Sequence, residues 1–198
     1  MGATPAIAEP GHMLRGLLAE EGVHELCTLA GSVGVMALHG GLEAGTWEAA
    51  RRCASRIGAS TYAVVQPDGL RWHVPSFQFD TAASATLRRF VRHVSVAVSF
   101  HGFGHPDLDG AVLVGGSNRT LATAIGAAID GTGRATAVTD ISSIPRRLRG
   151  LHPKNPVNLP KHGGVQLELS RRARSGGAEL HIADAVAFAI AEELPSLE

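Results

Sequence analysis

A histidine and a carboxylate stand four residues apart at the end of an apolar run, where they could bind a metal ion together. The apolar residues 33–38 are followed by His39-Gly40-Gly41 and then by Glu43. Imidazole and carboxylate groups are ordinary zinc ligands. The two glycines allow a turn tight enough to bring residues 39 and 43 to one point. The segment therefore indicates part of a zinc site.

A second histidine repeats this arrangement. The valine-rich run 93–100 ends at His101-Gly102. Ligands of α/β sheets bind just outside the carboxyl ends of the strands, so we expect His39, Glu43 and His101 to meet there. Three protein ligands leave the fourth zinc position open to water, as in catalytic sites. Either histidine alone is better explained as a structural residue; the shared His-Gly context, together with Glu43, favours a metal site.

A further carboxylate, Glu168, lies within a short apolar strand. In Val165-Gln166-Leu167-Glu168-Leu169 the alternation of side chains places residues 166 and 168 on one face. A charged residue in such a strand is costly unless it is paired or hydrated. Two interpretations stay open at this point. Either this is an edge strand with Glu168 facing water, or Glu168 is a general base that faces a metal-activated water.

The elements that carry these residues predict an α/β fold. Apolar patterns predict strands over 33–38, 61–65, 70–74, 93–100, 111–114, 134–138 and 165–169. They predict helices over 11–21, 47–57 with Thr46 as its cap, 81–92, from Ser117 or Asn118 to 129, and 182–194. Strands alternating with helices predict a mixed, mostly parallel sheet flanked by helices on both faces. We expect one domain over 1–198, with 1–10 as a loose lead-in.

The composition excludes several classes of function. The 198 residues are 44% hydrophobic and 18% charged, with a formal net charge of +0 and 5% aromatic residues. Nothing in this balance favours nucleic-acid or membrane binding. No segment has the pattern of a signal peptide or the length of a membrane span, so we expect a cytoplasmic protein that could be released by lysis. Cys27 and Cys53 are expected to be small buried hydrophobic residues.

Several segments resemble, in order and approximate spacing, the poly-γ-glutamate hydrolase family. They are HGGLEAGTWE (39–48), SFHG (99–102), GG (115–116), GVQLEL (164–169) with the arginines of 171–174, and WHVPS (72–76). The family is zinc-dependent, related in fold to zinc carboxypeptidases, and found in phages and bacteria. The resemblance implies zinc as the cofactor, His39, Glu43 and His101 as its ligands, Glu168 as the catalytic carboxylate, and a zinc-carboxypeptidase-like fold.

The substrate that the resemblance implies is an anionic peptide or polymer, and arginine binds carboxylates in a bidentate manner. Asn118-Arg119 is similar to the Asn-Arg pair with which zinc carboxypeptidases hold a substrate carboxylate; a helix cap followed by a surface arginine is the alternative. Arg171 and Arg174 could line a cleft or simply be solvated. Two asparagines of the proline-rich segment 141–160 are further candidates for substrate contact: Asn155 and Asn158.

Three functions are therefore considered. The first is zinc-assisted hydrolysis of γ-glutamyl linkages in poly-γ-glutamate or a related peptide, with Glu168 as general base. The second is a zinc amidase or carboxypeptidase acting on another peptide, such as a peptidoglycan stem. The third is a non-catalytic carboxylate-binding or phage-related interaction protein that retains the fold. The zinc content would separate the third from the others, and a substrate panel would separate the first two.

Overall fold

The computed structural model of the protein describes residues 11–193. Within this range seven strands form one sheet: β1 (His24–Thr28), β2 (Val33–Gly40), β3 (Ser60–Val65), β4 (Val96–Gly102), β5 (Ala111–Gly115), β6 (Thr136–Val138) and β7 (Gly164–Leu169). The α-helices of the range are α1 (His12–Leu18), α2 (Thr46–Ile57), α3 (Ala85–His93), α4 (Arg119–Gly131) and α5 (Ala178–Glu193). The predicted lead-in 1–10 lies outside the described residues. None of the described helices is long and apolar enough to cross a membrane.

The sheet is mixed and mostly parallel, as predicted. Its strand order is β1-β3-β2-β4-β7-β5-β6. The pairs β3–β2, β2–β4, β4–β7 and β5–β6 are parallel, whereas β1–β3 and β7–β5 are antiparallel. The central strand β2 is buried along its whole length, which explains why its sequence is a continuous apolar run rather than an alternating one.

Helices cover both faces of the sheet, so the predicted α/β class is confirmed. On one face α2, α4 and α5 pack against alternate strand residues such as Val35 and Ala37. On the other face α1 and α3 pack against the intervening residues, including Met36 and Leu38. Successive residues of β2 therefore enter two different cores, because side chains of a strand point alternately to opposite faces.

Two sequence predictions about single elements are wrong. Residues 70–74 do not form a strand. The backbone of Trp72 is hydrogen-bonded by the side chain of Gln66 and not by a neighbouring strand. The Gln66 Nε2 donates to Trp72 O at 2.9 Å, and its Oε1 accepts from Trp72 N at 3.2 Å. Thr46 does not cap α2 either. Gly45 occupies the cap position with φ 87°, and the Thr46 hydroxyl donates to Glu43 O at 2.7 Å.

The edge-strand interpretation of 165–169 is also wrong, since β7 lies inside the sheet. It is the parallel neighbour of β4 and the antiparallel neighbour of β5, and every residue of it is buried. In this register His101 of β4 lies beside Glu168 of β7. The pairing brings two of the predicted site residues to the same edge of the sheet, although 67 positions separate them (168 − 101).

Gly164 begins β7 at a point where there is no room for a side chain. A Cβ at this position would lie 2.2 Å from Val157 O and 2.3 Å from Ala97 O, both backbone atoms. We therefore expect Gly164→Ala to lower the free energy of unfolding by about 1–3 kcal/mol, the usual cost of overpacking, as measured by urea denaturation.

Gly131→Ala is the matched control for this prediction. A Cβ at Gly131, in the last turn of α4, would meet nothing within 4 Å, and alanine is the better helix former. The control should therefore be neutral or slightly stabilising. Equal stability of the Gly164→Ala variant and the unchanged protein would show that β7 can shift to accommodate a methyl group.

Candidate metal centre

Three side chains converge at the carboxyl ends of β2 and β4. The Nδ1 atom of His39 lies 3.2 Å from Nδ1 of His101 and 3.1 Å from Oε1 of Glu43. The Nδ1 atom of His101 lies 3.7 Å from Oε2 of Glu43. Zinc binds nitrogen and oxygen at about 2.0–2.2 Å, so a tetrahedral site separates its ligand atoms by about 3.4 Å. The three observed distances lie on either side of this spacing, with the two histidines facing different oxygens of the Glu43 carboxylate.

The turn after β2 folds Glu43 back onto His39. The amide of Glu43 donates to His39 O at 2.9 Å, and Gln66 N donates to Gly40 O at 2.8 Å. Gly41 has φ 77°, and a Cβ there would lie 2.1 Å from Gln66 O. Only glycine accommodates both this conformation and this close approach. The two glycines of the sequence motif are thus explained by the geometry of the turn.

The hydrogen bond of His39 directs the unshared electron pair of its ring at His101 and Glu43, whereas His101 Nε2 is buried without a hydrogen-bond partner among the described residues. His39 Nε2 donates to Val74 O at 2.7 Å, so the neutral ring carries its lone pair on Nδ1. That nitrogen faces both His101 Nδ1 and the Glu43 carboxylate. A shared proton could satisfy one pair of these atoms, whereas a divalent cation satisfies all three. The residues therefore fit a metal ion.

Metal binding needs neutral imidazole and ionised carboxylate. The pKa shifts of His101 and Glu43 suit it, whereas that of His39 means that an ion would displace a proton from this ring. Burial lowers the pKa of His101 to about 3, so this ring is neutral. Burial would raise the pKa of Glu43, but the nearby His39 and His101 and the Gly102 N–H lower it below its usual value. Burial would lower the pKa of His39, yet the charge and hydrogen bond of Glu43 and the Val74 carbonyl raise it.

A fourth group, His73, stands beside this centre and was not predicted as a ligand. Donor atoms of His39, Glu43 and His73 all lie within 4.8 Å of one another, so these residues form an alternative trio. His73 Nε2 is 4.0 Å from Glu43 Oε1, and its side chain is 59% exposed. The shorter distances to His101 favour His101 as the third ligand. The sequence analysis missed His73 because it placed this residue inside a predicted strand, 70–74, and not in the turn after one.

Glu168 lies at the buried side of the same cavity, which has a volume of about 690 Å³ and is also lined by His39, Glu43 and His101. Burial raises the pKa of Glu168 well above its usual range, and the charge of Glu43 adds to this shift. The hydrogen bond from Gln166 and the charge of Arg174 act in the opposite direction. A carboxyl group in a cleft whose pKa is raised by burial and a neighbouring charge is a candidate for general acid–base chemistry.

Comparison with known families gives one decisive match. The family model described as poly-gamma-glutamate hydrolase matches residues 23–178. The chain belongs to the poly-γ-glutamate hydrolase family. The predicted resemblance is thereby confirmed, and membership supports a hydrolase that acts on peptide-like substrates. No curated protein matches the chain.

Solved structures agree with membership of the poly-γ-glutamate hydrolase family. A bacteriophage poly-gamma-glutamate hydrolase is 26% identical with a TM-score of 0.73, covering 88% of this chain and 90% of that chain. The zinc-free apo form of YNDL is 18% identical with a TM-score of 0.69, covering 86% and 90% respectively. A putative carboxypeptidase from Burkholderia mallei is 13% identical with a TM-score of 0.50, covering 93% and 66%. These last two show likeness of fold alone, and the carboxypeptidase-like architecture is as expected.

Asn118 and Arg119 do not line the cavity of this poly-γ-glutamate hydrolase family member. Asn118 caps α4 by accepting from Leu121 N at 3.0 Å, and its Nδ2 donates to His162 O at 3.1 Å. The Arg119 guanidinium donates to the backbone carbonyls of Val114, Gly116 and Thr139. These contacts give both residues a structural role, so we assign neither to the substrate.

Arg174 lies against Gly102, beside the candidate metal centre but outside the cavity lining, whereas Arg171 is exposed. A Cβ on Gly102 would lie 2.6 Å from Arg174 Nε. Arg174 Nη1 donates to Ala44 O at 3.1 Å, and its charge favours ionisation of Glu43 and Glu168. The charge of Arg174 thus acts on both carboxylates, whereas Arg171 reaches Arg174 through its backbone carbonyl, which accepts from Arg174 N at 3.3 Å.

The two asparagines predicted as substrate contacts differ in position. Asn155 is buried and lines the cavity. Asn158 does not line it; its Nδ2 donates to Gly150 O at 2.7 Å and to His152 O at 3.2 Å, and its Oδ1 accepts from Ser117 N at 3.1 Å. Asn158 thus holds the proline-rich segment together rather than facing the cavity.

Proposed function

We propose that this chain is a zinc-dependent hydrolase that cleaves γ-glutamyl amide bonds of poly-γ-glutamate or of a related anionic peptide. The observation that carries this proposal is the convergence of the side chains of His39, Glu43 and His101 beside Glu168 in one cavity. Family membership supports hydrolysis of a peptide-like substrate, and the site supplies the groups that such a reaction needs.

The zinc ligands in this proposal are His39 Nδ1, His101 Nδ1 and the Glu43 carboxylate. Zinc held by three protein ligands supplies a Lewis acid and lowers the pKa of water toward neutrality. The Val74 carbonyl fixes the His39 ring, and the Gly102 N–H holds Glu43 Oε2 at 2.8 Å. Such outer contacts orient the ligands before an ion arrives.

Glu168 is the proton-transfer group in this proposal. Hydrolysis adds the oxygen of water to the amide carbon, breaks the C–N bond and moves one proton from water to the leaving nitrogen. Glu168 accepts that proton and then delivers it to the amine, so the carboxylate is regenerated. Because its pKa is raised, the Glu168 carboxylate is a stronger base than an ordinary glutamate.

The substrate side of the cavity is basic. Arg146 and Arg147 are exposed, line the cavity, and belong to no ion pair among residues 11–193. Each unit of poly-γ-glutamate carries a free α-carboxylate, which an unpaired guanidinium can bind by two parallel hydrogen bonds. These two arginines therefore replace Asn118 and Arg119 as the proposed substrate-binding groups.

We expect Arg146→Ala and Arg147→Ala each to raise KM for poly-γ-glutamate about tenfold while kcat changes less than about threefold, the effect of losing one charge-assisted contact. Initial rates at two salt concentrations provide the measurement, and the KM effect should shrink at high salt. Arg51→Ala, an exposed arginine of α2 that does not line the cavity, is the control. An unchanged KM in both cavity variants would remove these arginines from the binding site.

The experiment that tests the proposal is a substrate panel with the zinc-loaded protein. Poly-γ-glutamate, short γ-glutamyl peptides and muropeptides would be incubated in parallel and their products separated by mass. Cleavage of γ-glutamyl substrates supports the proposal. Cleavage of muropeptides alone would favour an amidase acting on a peptidoglycan stem, and binding without cleavage would favour a carboxylate-binding protein.

A further inference from the structure

Two buried amide side chains connect the proline-rich segment to Glu168. Asn155 Nδ2 donates to Gln166 Oε1 at 2.7 Å, and Gln166 Nε2 donates to Glu168 Oε1 at 2.7 Å. The three residues are only 2%, 4% and 5% exposed, so water has little access to these bonds although the residues line the cavity. Hydrogen bonds in such a buried network are strong, so they restrict the side chains that make them.

The direction of this chain of hydrogen bonds is set by the backbone. The N–H of Val157, which can only donate, lies 3.4 Å from Asn155 Oδ1. Asn155 consequently turns its Nδ2 toward Gln166, and Gln166 must meet it with Oε1. The Nε2 group of Gln166 is thereby directed at Glu168. The Asn155 amide thus orients the Gln166 amide. If either amide flipped alone, two donors or two acceptors would face each other.

The packing around Gln166 restricts its side chain further. Gly150 has φ 65°, and a Cβ there would lie 2.6 Å from Gln166 Cβ and 2.9 Å from its Cδ. The backbone of residue 150 therefore lies directly on the glutamine. On the strand, Gln166 and Glu168 share one face of β7, so the two side chains meet at the spacing of residues i and i+2.

The two oxygens of Glu168 are made different by this arrangement. Oε1 receives the Gln166 N–H and therefore cannot also carry a proton on that side. Among residues 11–193, none forms a hydrogen bond with Oε2. We infer that Asn155 and Gln166 are positioning residues, which hold Glu168 by Oε1 and reserve Oε2 for the proton that moves during hydrolysis. This inference rests on the proposed function, in which Glu168 transfers that proton.

The first test compares kcat and KM of the zinc-loaded full chain on poly-γ-glutamate. Gln166→Met removes the donor to Glu168 and should lower kcat roughly 10- to 100-fold, as loss of an orienting partner does, with KM within about threefold. Asn155→Asp should lower kcat more than Asn155→Ala. A carboxylate at 155 can only accept, so it favours an inverted Gln166 amide whose oxygen faces Glu168. A purely structural role predicts the opposite order, because aspartate is nearly isosteric with asparagine.

A double-mutant cycle then tests whether Asn155 acts through Gln166. In a Gln166→Met background the link is already broken, so adding Asn155→Asp or Asn155→Ala should lower kcat by less than about threefold more. Asn158→Asp is the matched control: it makes the same chemical change in the same segment, at a residue whose Nδ2 donates to two carbonyls outside the chain of amides. It should lower the melting temperature while kcat stays within about threefold. Zinc content and melting temperature are measured for every variant.

Three results would overturn the inference. They are wild-type kcat in Gln166→Met, a lower kcat in Asn155→Ala than in Asn155→Asp, and a loss in Asn158→Asp equal to that in Asn155→Asp. The Glu168→Gln variant separates this failure from failure of the proposed function. If Glu168→Gln is inactive and Gln166→Met is fully active, only the positioning role is refuted. If Glu168→Gln turns over normally, or the unchanged protein cleaves no panel substrate, both proposals are refuted.

Discussion

Glu168→Gln is expected to lower kcat by about 10³-fold, within the range that a general acid–base group contributes. The amide keeps the size of the carboxyl group but cannot accept and release a proton. Because Glu168 is buried and its charged form is disfavoured there, a neutral isostere should change the free energy of unfolding by less than about 1 kcal/mol. Steady-state rates, zinc analysis and denaturation of one preparation provide the measurement.

The control for Glu168→Gln is Glu48→Gln. Glu48 is an exposed carboxylate in the first turn of α2, close in sequence to the candidate metal ligand Glu43. Its substitution makes the same chemical change and should leave kcat within about twofold. If Glu168→Gln retained full turnover with zinc bound, Glu168 would have no part in the proton transfer.

His101→Ala is expected to reduce bound zinc from about one per chain to less than about a tenth under dilute conditions. Structural zinc sites bind with about 10–16 kcal/mol over four ligands, so one ligand contributes about 3 kcal/mol and its loss weakens binding by about 10²-fold. The activity should fall with the zinc content. Elemental analysis after dialysis measures the metal directly. Zinc should raise the melting temperature of the unchanged protein but not that of the variant.

His73→Ala distinguishes the two possible ligand trios. His73 is more exposed and more distant than His101, so its removal should leave about one zinc per chain. If His73→Ala lost zinc and His101→Ala kept it, the third ligand would be His73, and the ion would lie nearer the mouth of the cavity. Circular dichroism of each variant shows whether the fold is retained.

Much of the fold was predictable because its signals are local. The apolar run of β2 and the glycines after it indicate a buried strand and a tight turn, and the structure has both. The strand β1 was not predicted, because five residues with alternating partial exposure have little apolar signal. Residues 70–74 have the composition of a strand, yet the side chain of Gln66 satisfies part of their backbone instead.

The candidate site was predictable only in part. His39 and Glu43 are four positions apart, so their meeting follows from one turn, whereas the approach of His101 and Glu168 depends on the order of strands in the sheet. Their roles as ligand and catalytic group stay predictions until metal and activity are measured. Arg146 and Arg147 carry no distinguishing pattern, and only their position at the cavity separates them from other surface arginines.

By itself the sequence determined the α/β class, the family, and the residue types that a zinc hydrolase requires, because these are recorded in short runs and fixed motifs. Only the tertiary structure decided that β7 lies between β4 and β5, that Glu168 is therefore buried beside the histidines, and that Arg119 is occupied by backbone carbonyls. The physical reason is the separation along the chain between the residues that interact. Periodicity and turn chemistry act between neighbours in the chain, whereas burial, pKa shifts and hydrogen-bond partners at this centre arise between residues about 60 positions apart.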